Sequence, residues 1–274
     1  MVSAATMGVA EPKTDTQRPT PILTRPAATA QSISIIANAK YFDDVQLEEA
    51  NEFDGFGSEL ELTVPFRQNM QLRFILPVYT SGKATLIDPP TGERIRIKGP
   101  SGTFNYPTIL FDHQLMDEKS DGYNLAYFLG YGKSAGNWGK LDTTHGDIYN
   151  HQGNLFRIGL KADGSADSGA YHWLTNAGVR IYQGSDDLNP AQTGDNFAHL
   201  ELSGAVIFNH VSDHFYPAAE LSYQGDLGRY NAIHLIPQII APIGPNLDLK
   251  AGATLGLSGD GERWGARLQL DYRL

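Results

Sequence analysis

The sequence predicts an all-β fold, an antiparallel transmembrane β-barrel of about twelve strands (residues 31–274) behind a disordered amino-terminal arm (residues 1–30). Three observations carry that expectation. The first is the end of the chain, where Ala266, Leu268, Leu270, Tyr272 and Leu274 alternate with Arg267, Gln269, Asp271 and Arg273. Successive strand residues point to opposite faces, so one face is apolar and the other polar up to the last residue. Termini normally fray, whereas the last strand of a closed barrel must pair with the first and meet lipid.

The second observation is recurrence. Leu60, Leu62, Val64 and Phe66 alternate with Glu59, Glu61 and Thr63, and Met70, Leu72, Phe74, Leu76 and Val78 follow an Arg67-Gln68-Asn69 turn. Tyr123, Leu125, Tyr127, Leu129 and Tyr131 make a face rich in the tyrosines expected at membrane interfaces. Phe156, Ile158 and Leu160 frame Arg157 and Lys161, and Leu247, Leu249, Ala251, Ala253 and Leu255 frame Asp248 and Lys250. The third is the spacing of connections. Turns at 67–69, 211–213 and 244–246 are short, while 81–102, 133–152 and 183–197 are long and rich in Gly, Asp, Asn or Pro. Short periplasmic turns opposite long outer loops produce this alternation.

Taken in order, the strands are expected at 31–42, 57–66, 69–80, 103–115, 122–132, 153–163, 171–182, 198–209, 214–225, 229–241, 246–258 and 262–274. Residues 1–30 are rich in Pro, Thr and Ala, with Pro19, Pro21 and Pro26 among them, which suits a mobile tail. A segment that plugs the lumen or meets a partner is the other reading of that arm. It lacks the apolar core, about 7–15 residues long, of a cleavable signal peptide. On the barrel reading the signal is removed or omitted.

Composition narrows the classes. No run of about 18 apolar residues occurs, so a helical membrane span is excluded. The absence of cysteine removes disulfides and thiolate metal sites. A net charge of −10 argues against general nucleic-acid binding.

Residues 232–274, with Pro237, Pro245-Asn246-Leu247, Gly252, Gly256-Leu257, Gly265 and Tyr272-Arg273-Leu274, resemble the carboxy-terminal part of a family of outer-membrane proteins associated with the meta-pathway of phenol degradation. Residues 58–78 and 199–223 are similar to further stretches of that family. Its members usually finish on Phe, whereas this chain finishes on Leu274. The resemblance implies an outer-membrane channel or transporter for hydrophobic or aromatic compounds.

Local chemistry is sparse. His210 and Ser212 have the spacing of a His-x-Ser pair in lipid-hydrolysing barrels, yet Ser212-Asp213 is ordinary turn chemistry. Asp142, His145, Asp147 and His151 lie in one loop without a metal-ligand spacing, and Asp186, Asp187 and Asp195 read likewise as solvated loop residues. No Gly-rich loop carries a nucleotide signature, and no cofactor is implied.

The inward polar face is therefore the candidate functional surface. It holds Glu59, Glu61, Arg73, Arg157, Lys161, Arg180, Glu201, Glu220, Asp248, Lys250, Arg267, Asp271 and Arg273 as pore-lining residues. Both signs occur, so these charges either close the lumen as ion-pair ladders or set a field that selects permeants. The expected function is passive passage of a small-molecule solute across the cell outer membrane. Expected partners are outer-membrane lipid and lipopolysaccharide, the barrel-insertion machinery and an envelope protein, with no nucleic acid. The rivals are a structural barrel that anchors or sleeves an envelope protein, a lipid-hydrolysing barrel using His210 and Ser212, and a soluble β fold.

Overall fold

A computed structural model describes residues 18–46, 50–86, 94–99, 107–133, 140–141, 154–183, 196–209, 211–212, 214–228 and 231–274. In chain order the elements are β1 (Ser34–Gln46), β2 (Ala50–Arg67), β3 (Met70–Leu86), β4 (Arg94–Gly99), β5 (Thr108–Met116), α1 (Glu118–Asp121), β6 (Asn124–Lys133) and β7 (Lys140–Leu141). They continue with β8 (Asn154–Ser165), β9 (Tyr171–Gln183), β10 (Asn196–Phe208), β11 (Tyr216–Gly225), β12 (Asn231–Pro242), β13 (Leu247–Gly256) and β14 (Gly261–Arg273).

Closure defines the architecture. β1 pairs antiparallel with β14 from Ser34↔Arg273 to Gln46↔Gly261, and with β2 on its other side. β2 also pairs with β3, so the sheet returns on itself as a closed antiparallel barrel of twelve strands. A soluble sandwich would need two packed sheets; here one sheet has no free edge in its wall. β4 and β7 stand outside the wall, extending the far end of β3. Both fall in segments expected to be loops: β4 alternates as Arg94-Ile95-Arg96-Ile97-Lys98 within a long Gly- and Pro-rich stretch, and β7 is only two residues long.

Alternation decides which way each residue faces. Leu268, Leu270 and Tyr272 are exposed on the outer surface, as are Ile158, Leu160, Leu76 and Ile239. Their neighbours Gln269 and Asp271, Lys161 and Gln238 are buried inside. An apolar outside around a polar inside inverts a soluble core and matches a wall that meets hydrocarbon. Aromatic rings gather near both ends of this belt. Tyr41 lies 5.0 Å from Phe56 and 5.2 Å from Trp264 at the end away from the termini. Phe66, Phe111 and Tyr127 cluster at the end where β1 starts and β14 stops, with the first two rings 6.3 Å apart.

The turns sort by end, with departures from the expected alternation of short and long connections. Beside the termini lie the 68–69, 166–170 and 243–246 connections and the α1 turn, capped by Asp117, whose carboxylate accepts from Lys119 N, and closed by Gly122 at φ 83°. At the opposite end 226–230 and 257–260 are short. They join β11 to β12 and β13 to β14.

A charge on the lipid face should destabilise the barrel. Leu268→Arg is expected to cost about 2–4 kcal/mol, read as a shifted urea midpoint for folding into phospholipid vesicles. The inward substitution Gln269→Ala should spare membrane insertion.

Candidate functional site

The lumen is occupied by the chain itself. Residues 18–30 do not behave as the disordered arm the sequence suggests; residues 1–17 lie outside the described residues. The segment runs inside the half of the barrel nearest the termini, and Ile22, Thr24 and Ala27 are buried.

A backbone inside a barrel cannot join the wall's ladders, so its N–H groups need side-chain acceptors. Pro21 and Pro26 have no N–H and need none. The others from Ile22 to Ala30 are each met. Glu220 takes Ile22 N at 2.7 Å, Leu23 N at 3.1 Å, Thr24 N at 2.7 Å and Thr24 Oγ1 at 3.0 Å. Asn176, with its amide turned to satisfy both ends, accepts from Arg25 N and donates to Arg25 O. Asp163 accepts from Ala27 N and Ala28 N, Gln114 from Thr29 N at 2.8 Å, and Gln71 from Ala30 N at 2.7 Å. Successive N–H groups converging on Glu220 form an anion nest, with the protein's own carboxylate as the anion. Gln238 supports it, accepting from Ile22 N and donating to Glu220 at 2.5 Å.

Side chains complete the seat. Arg25 pairs with Glu61 at 2.9 Å, Lys250 donates to Thr20 Oγ1 at 2.8 Å, and Arg18 pairs with Glu118 on α1. Segment 18–30 thus touches β2, β3, β5, β8, β9, β11, β12, β13 and β14 through named side chains. Anchoring to one or two strands would leave a flap; anchoring all round makes a plug.

The charged wall residues form networks across strands. Glu61 sits between Arg25 and Arg73, Arg73 reaches Asp112 at 2.6 Å, and Lys161 reaches the same carboxylate at 2.9 Å. Glu201 is shared by Arg157, at 2.9 Å, and Arg180. Lys250 pairs with Asp271 at 3.1 Å, Arg273 with Asp248 at 3.1 Å, and Arg267 with Glu262 at 2.8 Å. Such pairing is what makes a buried charge tolerable.

The plug divides the lumen. On its far side lies a chamber of about 320 Å³, floored by Ile22, Leu23 and Arg25 and lined by Glu59, Glu61, Arg73, Arg157, Lys161, Arg180, Glu201 and Arg267. A smaller space of about 110 Å³ on the near side includes Asp271 and Arg273. Glu220, Asp248 and Lys250 are buried elsewhere on the inner wall. All thirteen residues picked from the alternation therefore face inward. Asp112, Asp163, Gln71, Gln114, Asn176 and Gln238 face inward as well, outside that set, in a phase legible beside residues such as Phe111, Leu72 and Ala177.

The other motifs fare differently. His210 and the 142–151 and 184–195 loop residues lie outside the described residues. Ser212 Oγ accepts from His214 N at 3.1 Å, a turn contact. Among the described residues no three His, Asp or Glu side chains converge as a metal site.

Fold and site together define a transmembrane β-barrel whose lumen holds its own amino-terminal segment. No family model matches the chain, and no curated protein matches it. Solved structures do. An outer membrane channel from Pseudomonas putida F1 is similar at 12% identity and TM-score 0.57, over 94% of this chain and 100% of that one. The beta domain of the Bordetella autotransporter BrkA is similar at 14% identity and TM-score 0.54, over 89% of this chain and 100% of that one. The KdgM porin, solved with disordered oligogalacturonate, follows at 9% identity and TM-score 0.50, over 88% and 99%. At such identities the likeness is one of fold, that of outer-membrane barrels.

The Arg18–Glu118 clasp lies outside the membrane-spanning strands. Burial pushes the Glu118 carboxyl up, but hydrogen bonds from Arg18 and from Ser165 N outweigh it and hold it below the usual glutamate range. A lowered folded-state value means the clasp is complete above the ordinary glutamate pKa and is lost as pH falls through the lowered one. Amide exchange at Ser165 should accelerate over that acidic window beyond its intrinsic rate, and in Glu118→Ala it should be fast at all pH.

Proposed function

We infer that this chain is an outer-membrane channel, closed in the described state by its own amino-terminal segment, for passive passage of small molecules. The observation that carries the reading is the plug, held by side-chain hydrogen bonds and ion pairs that water can replace. No strand of the wall depends on segment 18–30, because every wall strand is paired on both sides by another. The segment can leave without opening the ladder. The chamber beyond it would then continue to the periplasmic end, with the loops facing outward as in other barrels of this kind.

Passage needs no energy source on this reading. A solute enters from the loop end, meets the chamber's charges, and crosses when the segment withdraws. The resemblance over residues 232–274 favours aromatic solutes, and the charged chamber wall favours polar ones. The KdgM porin, similar in fold, was solved in complex with disordered oligogalacturonate, which lends support to a solute-carrying lumen here. The rival reading, a structural barrel sleeved on an envelope partner, gains support from the number of bonds that hold the lumen closed.

Glu220 separates the two. Its carboxylate takes four hydrogen bonds from residues 22–24, and charge-assisted bonds of this kind are worth about 1.5–3 kcal/mol each when removed singly. Glu220→Ala should therefore raise the unplugged population roughly 10–100-fold. In a planar bilayer this reads as frequent channel openings where the unaltered chain is nearly silent. A variant that folds, shifts on heating in a gel and stays silent would favour the structural barrel.

A further inference from the structure

The chamber carries more positive charge than its own carboxylates balance. Seven cationic side chains line it (Arg25, Lys40, Arg73, Arg157, Lys161, Arg180 and Arg267), against Glu59, Glu61 and Glu201. Asp112 and Glu262 lie behind the lining and pair with its cations. Counting them still leaves a surplus of two positive charges among the described residues, in a chain whose net charge is −10.

The surplus has an address. Arg157 and Arg180 stand directly opposite each other across the β8–β9 ladder. Like charges in that position repel, and neighbouring strands usually avoid it. One carboxylate, Glu201 on β10, serves both, and the buried Arg157 Nε has no hydrogen-bond partner. Beside the pair the wall is cut back to hold a ring. Phe128 faces Gly159 across β6–β8, and Gly159 faces Gly178 across β8–β9. A methyl on Gly159 or Gly178 would come within 2.5 or 2.8 Å of the Phe128 ring. The ring lies 5.8 Å from both the Arg157 guanidinium and the Lys161 ammonium, steadying two cations without neutralising either.

We propose that this place binds the carboxylate of a small organic acid, bridged between Arg157 and Arg180, with the acid's apolar body against Phe128, Leu155 and Ile75 of the same chamber. The incoming carboxylate supplies the second anion that the two guanidinium groups lack. Planar guanidinium forks suit a carboxylate better than a spherical anion. The chamber's volume, about 320 Å³, falls in the range of small-molecule sites. The proposal rests on the channel reading for its meaning in transport, as the selecting step, while binding itself does not require conduction.

Calorimetry on the full chain in detergent tests it, with sodium benzoate and its neutral twin benzamide as probes at matched ionic strength. Benzoate should bind at least about 10-fold more tightly, as expected of a charge-assisted contact. In the Arg157→Gln, Arg180→Gln double variant, checked for its heat shift on a gel, that preference should vanish. Equal affinity for the two probes, or no binding of either to the unaltered chain, overturns the proposal without any variant having to fold. Preferential benzoate binding alongside a silent Glu220→Ala bilayer would sink the channel reading and leave the site standing. Openings in that variant without benzoate preference would do the reverse.

Discussion

Everything in this molecule follows from the ladder between β1 and β14. A wall facing hydrocarbon has no water to satisfy a stray amide, so its sheet must close. Closure of twelve strands by Ser34↔Arg273 and its neighbours forces each strand to send alternate residues outward to lipid and inward to a common lumen. The inward residues cannot all be apolar without losing the distinction between the faces, and they cannot be charged without partners. The networks around Glu61, Asp112 and Glu201 are the solution reached here.

The plug answers a second demand of the same kind. Packing a peptide inside a polar lumen exposes its amides to a wall whose own backbone is already spent. Side-chain oxygens are the only acceptors left. Glu220, Asp163, Gln114 and Gln71 supply them at the heights where the segment passes, and prolines at 21 and 26 lower the number required. The fit is therefore between a donor-poor strand of chain and an acceptor-rich wall.

Legibility in the sequence tracked locality. All twelve wall strands could be read, because period-two alternation is written in consecutive residues such as Leu268-Gln269-Leu270-Asp271. The inward phase of Arg157, Arg180 and Glu201 came with it. Their shared contact did not, since it depends on which strands stand side by side. The place of residues 18–30 inside the lumen was hidden for the same reason. The composition of that segment is that of a tail, and what holds it lies between 36 and 251 residues away, from Glu61 against Arg25 to Asp271 against Thr20. Phe128 belongs here too: a large inward ring looks misplaced until Gly159 and Gly178 are seen across from it.

Those long separations also impose an order on assembly. Glu220, Gln238, Lys250 and Asp271 belong to β11 through β14, so the seat for residues 20–24 does not exist until the last strands have taken their places. Loop-closure entropy makes such distant contacts costly before the intervening wall is built. The segment that precedes every strand in the sequence is thus the last to settle, and it must wait inside or beside a nascent barrel with its amides hydrated. A lumen wide enough for that traffic has to be present once in the life of every molecule, during biogenesis, before the plug is home.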